Sequence, residues 1–185
     1  MPNREETRNL ETIPVGPLGL IPLPSCAEIG DKINYYLVKW RKERENEHKN
    51  TLSFTGYQKD TFIMEHKLPR FGSGEGKGVI LESVRGDDLY LLVDVCNYSL
   101  TYTVAGHLNH MSPDDHFQDL KRIIAAVEGK AKRITVIMPF LYESRQHKRT
   151  ARESLDCAIA LQELINMGVD NIITDNPAYV RELLR

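Results

Sequence analysis

An α/β fold of three layers, a largely parallel sheet flanked by helices, is predicted by two features of the sequence. From residue 89 to residue 174 short apolar runs alternate with segments of helical period, in the order strand, helix, strand, helix, strand. The first run, Leu89-Tyr90-Leu91-Leu92-Val93, is also apolar throughout, as expected of a strand covered on both faces.

Residues 1–25 read as an extended, Pro-rich arm, and residues 26–185 as a single α/β domain. Ile29, Ile33, Tyr36, Leu37 and Trp40 recur at steps of three and four and predict a helix over about 27–47. The mixed charges of 41–49 are its solvated end. Strands are expected at 61–65, 79–82 and 89–95, separated by the Gly-rich stretch 71–78 and the turn Arg85-Gly86-Asp87-Asp88. Ser112-Pro113-Asp114-Asp115 supplies an N-cap and a proline at the first helical position, and the helix over 116–128 is closed by Gly129. A strand over 133–139 stopped by Pro139, a helix over about 152–167 capped by Gly168, and a strand over 171–174 complete the pattern.

Lys and Arg total 24 against 26 Asp and Glu, a formal charge of -2, so no global field attracts nucleic acid or an acidic membrane. The apolar stretch 15–24 is broken by Gly16, Gly19 and three prolines, which excludes a membrane span or secretory segment there. Cys26, Cys96 and Cys157 are odd in number and contain no CxxC pair, which points away from a disulfide framework or zinc knuckle and toward a reducing cytoplasm. Cys96 and Cys157 read as core residues. His107, His110 and His116 read as part of a polar loop, because their spacing fits no zinc motif.

Ligands in doubly wound sheets bind beyond the carboxyl ends of strands, so chemistry is expected in the loops after Val95, Met138 and Thr174. The second of these, 139–149, holds Arg145, Gln146, His147, Lys148 and Arg149. Guanidinium groups grip phosphate oxygens in pairs and an amide both donates and accepts, so the loop suits a nucleotide; a solvated basic loop is the alternative. The stretch 71–78 lacks the Gly-Lys-Ser/Thr ending of a phosphate loop. It is expected to join two strands tightly and leave Glu75 free for a ligand's amine or hydroxyl.

Four blocks in order, residues 70–75, 82–90, 133–139 and 142–149, resemble the ribose-phosphate pyrophosphokinase family. The resemblance spans about 70–174 and implies a phosphoribosyltransferase-like N-terminal domain. It assigns ATP contact to Arg145 and Gln146, and contact with the adenine bound to a neighbouring subunit to Phe71 and Glu75. It further implies magnesium with ATP, a homo-oligomer, and a share in diphosphoryl transfer onto ribose 5-phosphate. Two substitutions depart from the family pattern. Ser73 stands where the family usually has aspartate, and Thr174-Asp175-Asn176-Pro177 replaces the usual Asp-x-His turn, leaving Asp175 as the one candidate magnesium ligand. The family's second half, with its ribose-phosphate and pyrophosphate loops, has no counterpart here. Residues 168–184 are also similar to the closing strand and helix of glycerophosphodiester phosphodiesterase barrels, without their paired acids and histidines. The expectation is therefore a truncated or recombined end, with two readings: an ATP-binding and assembly domain of the synthase, or a non-catalytic nucleotide-binding scaffold.

Overall fold

The computed structural model describes residues 14–47, 56–146, 148–149 and 151–175. Its centre is a four-stranded parallel sheet in the order β1-β4-β7-β8, formed by Leu18–Pro22, Asp88–Leu92, Arg133–Ile137 and Asn171–Ile173. Helix α1 (Ala27–Asn46) covers one face. Helices α2 (Pro113–Val127) and α3 (Asp156–Asn166) cover the other, so the three layers expected from the sequence are present.

The alternation along β4 explains this layering. Leu89 and Leu91 point into a core shared with Leu120 and Ile123 of α2 and Leu164 of α3. Leu92 points the other way, into a smaller core with Leu18, Leu20 and Phe62, against which Ile33 and Leu37 of α1 pack. A strand sandwiched between helical layers has no polar face, which is why its sequence is a continuous apolar run.

The first strand was hidden in the Pro-rich arm. Leu18–Pro22 is buried at every position and pairs in parallel with β4, Leu20 opposite Tyr90. Proline is tolerated because β1 lies at the edge of the sheet and Pro22 ends it, where a missing donor costs little. Helix α1 then crosses Pro22 so closely that a Cβ on Gly30 would lie 2.3 Å from the Pro22 Cβ.

Residues 61–65, expected as a strand, only bridge β1: the Leu20 N–H donates to the Phe62 carbonyl at 2.8 Å, and the Met64 N–H donates to the Leu20 carbonyl at 2.8 Å. The chain then forms β2 (His66–Lys67) and β3 (Val79–Ile80), an antiparallel pair joined by the Gly-rich loop. A second ribbon, unforeseen from sequence, is the hairpin of β5 (Thr101–Val104) and β6 (His107–His110). It turns at Ala105 and Gly106, both with positive φ, the geometry that two-residue hairpin loops require.

Helix α2 begins with a complete capping box between Ser112 and Asp115 and has Pro113 in its first turn. Helix α3 starts at Asp156, one turn later than expected. Across the sheet, the Arg133 Nε donates to Asp88 Oδ1 at 2.7 Å, joining β7 to β4 through a buried carboxylate. Among the described residues no helix is long and apolar enough to cross a membrane.

Candidate functional site

The carboxyl ends of β4 and β7 open into a cleft of about 380 Å³, walled by Val95, Cys96, Tyr98, Phe140, Tyr142 and Arg145 among others. This is the edge at which doubly wound sheets bind ligands. Arg145 lies on a single 3-10 turn, Ser144–Gln146, whose serine is buried while the arginine is exposed. The preceding Glu143 adopts φ 54°, a left-handed conformation uncommon for a side-chain-bearing residue, and turns the chain toward the cleft.

Tyr142 fixes that loop. Its ring stacks on Phe117 of α2 with centroids 4.2 Å apart and planes within 7°, and its hydroxyl donates to Asp114 Oδ1 at 2.7 Å. Burial and the Asp114 hydrogen bond, reinforced by the charge of Asp114, push the phenol above its ordinary pKa. Tyr142→Phe is expected to cost about 1 kcal/mol of stability, the usual worth of one such bond. The folded state holds this proton more tightly than the unfolded chain does. The stability it confers is therefore complete below the ordinary phenol pKa of about 10 and is lost as pH rises beyond it. Urea unfolding at stepped pH should show the wild type losing stability more steeply than Tyr142→Phe above about pH 10; equal slopes would refute the assignment.

Phe71 and Glu75 lie elsewhere, on the β2–β3 loop, and neither lines the cleft. Phe71 is 53% exposed. The loop is closed by the Phe71 N–H donating to the Glu75 carbonyl at 2.8 Å and the Gly74 N–H donating to the Phe71 carbonyl at 2.9 Å. Glu75 was expected to be free, but its carboxylate accepts the Ser73 hydroxyl at 2.9 Å. A serine two residues away reaches the carboxylate, whereas the aspartate usual there in the resembling family would repel it.

Below the loop, Arg70 donates to the Gly74 carbonyl at 3.2 Å and to Asp119 of α2 at 2.9 Å, and its guanidinium lies 4.9 Å from the centre of the Tyr102 ring. The other Asp119 oxygen accepts from Arg122 at 2.6 Å. Arg70, the first residue of the first sequence block, is thus a structural anchor; Asp119 and Tyr102, which complete the anchor, are remote in sequence and were not foreseen.

Asp175 follows β8 and is exposed, its N–H donating to the Pro139 carbonyl at 3.1 Å beside the Phe140 wall of the cleft. Among the described residues no group of three or more His, Cys, Asp or Glu is placed to hold a metal ion. His147 and the helix expected after Asp175 lie outside the described residues.

Cys157 is buried as expected, but Cys96 is exposed in the cleft, because the chain leaves the core after Val95, the last buried residue beyond β4. His116, read as part of a polar loop, is instead buried on α2, its Nε2 2.7 Å from the Asn97 carbonyl. His107 and His110 are exposed on β6.

Residues 20–168 match the family model described as the N-terminal domain of ribose phosphate pyrophosphokinase. The chain is 37% identical over 109 residues to ribose-phosphate pyrophosphokinase 1 of Schizosaccharomyces pombe, covering 58% of this chain and 23% of that protein. It is 29% identical over 109 residues to ribose-phosphate pyrophosphokinase B of Dictyostelium discoideum, covering 58% and 29%. In three dimensions it is similar to phosphoribosylpyrophosphate synthetase from Mycobacterium smegmatis, with a TM-score of 0.59, 24% identity, and coverage of 85% of this chain and 41% of that one. The chain therefore spans well under two thirds of these proteins, and the likeness at 24% identity bears on the fold alone.

Proposed function

The chain belongs to the ribose phosphate pyrophosphokinase N-terminal domain family, and from that membership we propose that it is a nucleotide-binding and assembly domain. Arg145 and Gln146 take the phosphates of ATP in the cleft at the ends of β4 and β7, and Phe71 and Glu75 are offered to a nucleotide held by a neighbouring copy. The observation that carries this reading is the position of Arg145: an exposed guanidinium at the ligand-binding edge of the sheet, on a loop held by the Tyr142 stack. The separation of Phe71 and Glu75 from that cleft supports their working across a subunit boundary.

Magnesium fits this site only as a companion of the nucleotide. It binds through one or two carboxylates together with substrate phosphates; Asp175 follows β8 at the strand's edge, and Glu143 is a second carboxylate, in the cleft lining itself. Bound there, the ion would neutralise phosphate charge. The chain's own part is positioning: Arg145 and Gln146 hold the phosphates, and the Phe117, Asp114 and Tyr142 contacts keep their loop in place. Diphosphoryl transfer onto ribose 5-phosphate is proposed for the complete enzyme to which such a domain contributes.

Calorimetric titration with magnesium and ATP tests the reading. Saturable binding is expected, with at least tenfold weakening in Arg145→Ala, in line with the loss of a charge-assisted phosphate contact. No heat at millimolar ATP, or equal affinity in the variant, would overturn it.

A further inference from the structure

We infer that the Arg145 cleft carries its own base-binding wall, formed by Tyr98 and Phe140, so that a nucleobase is held within one copy by stacking and not solely by the Phe71 and Glu75 loop of another. The inference rests on Arg145 as the phosphate contact proposed above.

Both rings line the cleft with Arg145, and both are left wet by folding: Tyr98 is 61% exposed and Phe140 41%. Exposed aromatic side chains singly need no explanation, but two of them walling one cleft beside a cation are the parts from which nucleotide sites are built.

The backbone under each ring is fixed, so exposure here is not slackness. Next to Tyr98, Asn97 is held at three points. Its amide donates to the Ser25 carbonyl at 3.0 Å, its side-chain oxygen accepts the Ser99 N–H at 2.9 Å, and its carbonyl lies 2.7 Å from the buried His116 Nε2. The Tyr98 carbonyl itself meets the His110 Nδ1 at 2.8 Å. Phe140 sits between Pro139, whose carbonyl accepts the Thr174 hydroxyl and the Asp175 N–H, each at 3.1 Å, and the buried Leu141. Two rings presented on rigid backbone give a platform whose ordering cost is met by folding.

Aromatic platforms act on the face of any base, and Arg145 can add its own planar group or remain on the phosphates. The ligand class is therefore nucleoside triphosphates in general, with little preference between ATP and GTP.

The test compares ATP, GTP and inorganic tripolyphosphate, each with magnesium, by calorimetry on the wild-type chain and on Tyr98→Ala, Phe140→Ala and Phe71→Ala. Circular dichroism checks that the variants fold, which substitution of exposed residues should permit. ATP and GTP are expected to bind roughly tenfold or more tighter than tripolyphosphate, from base stacking. That advantage should shrink about tenfold in Tyr98→Ala and in Phe140→Ala, with tripolyphosphate affinity unchanged, and be reduced but not abolished in Phe71→Ala. Tripolyphosphate binding as tightly as ATP would overturn the wall while leaving the Arg145 grip intact. So would a base advantage that survives both wall variants and disappears in Phe71→Ala. If none of the three ligands binds, the wall and the grip both fall.

Discussion

Asp119→Ala is expected to lower the free energy of unfolding by about 3 kcal/mol, the scale seen when one partner of a buried ionic group is removed. Asp119 is only 4% exposed and its carboxylate serves two guanidinium groups, Arg70 and Arg122, whose own side chains are largely covered. Alanine removes the carboxylate from Arg122 and leaves Arg70 with only the Gly74 carbonyl, the Tyr102 ring and the more distant Asp115, 3.6 Å away. The damage should also be local in a way chemical denaturation alone would not reveal. Arg70 is the post on which the loop of Phe71 and Glu75 closes, and Gly76 packs so tightly on Arg122 that a Cβ there would lie 2.6 Å from its Nη1. Amide exchange across residues 70–78 should therefore quicken more than exchange in β4. Asp119→Asn, which keeps the shape and one acceptor, should show a smaller loss. A cost below about 1 kcal/mol for the alanine variant would mean that water replaces the carboxylate at Arg122 and that the existing Asp115 contact suffices for Arg70.

Leu91→Ala is expected to cost about 3 to 4 kcal/mol, within the range for removing a buried leucine whose surroundings cannot collapse. Leu91 has no exposed surface. Its backbone lies between Ile21 of β1 and Val136 of β7, and its side chain lies in the core shared with α2 and α3. A strand paired on both sides and helices seated on the sheet leave little freedom to fill the space. Guanidinium denaturation should show a lowered midpoint with an unchanged slope. A changed slope would indicate that the sheet rearranges around the gap.

The parts of the fold legible in the sequence were those whose chemistry is local. The apolar runs of β4 and β7 and the N-cap and first-turn proline of α2 signal themselves within a few residues, and the structure has them where expected. β1 escaped because Gly16, Pro17, Gly19 and Pro22 punctuate it, and its strand character comes from pairing with β4 far along the chain. The β5–β6 hairpin escaped for a different reason: its signal, alternating Thr101-Tyr102-Thr103-Val104 before Ala105-Gly106, was present, but the alanine concealed a turn that asparagine would have announced.

The candidate site divides similarly. Arg145 and Gln146 were legible as a basic, amide-bearing loop after a strand, and the family resemblance is upheld by the match over residues 20–168. Tyr98, Phe140 and Tyr142 were not singled out, since an aromatic residue in a sequence gives no sign of whether it will be buried or left facing a cleft. Arg70 looked like part of a ligand motif and proved to hold the fold together, because its partners Asp119 and Tyr102 are brought to it only by tertiary structure.

The edge strand Leu18–Pro22 has a bearing on biogenesis. During synthesis β1 and α1 emerge before β4 has been translated, so Leu20, Ile21 and Leu23 must wait in contact with solvent or chaperone for the strand that buries them. The entropy of closing so long a loop has to be met before any ladder bond repays it. Prolines and glycines around that early segment weaken its tendency to pair with another nascent chain in the meantime.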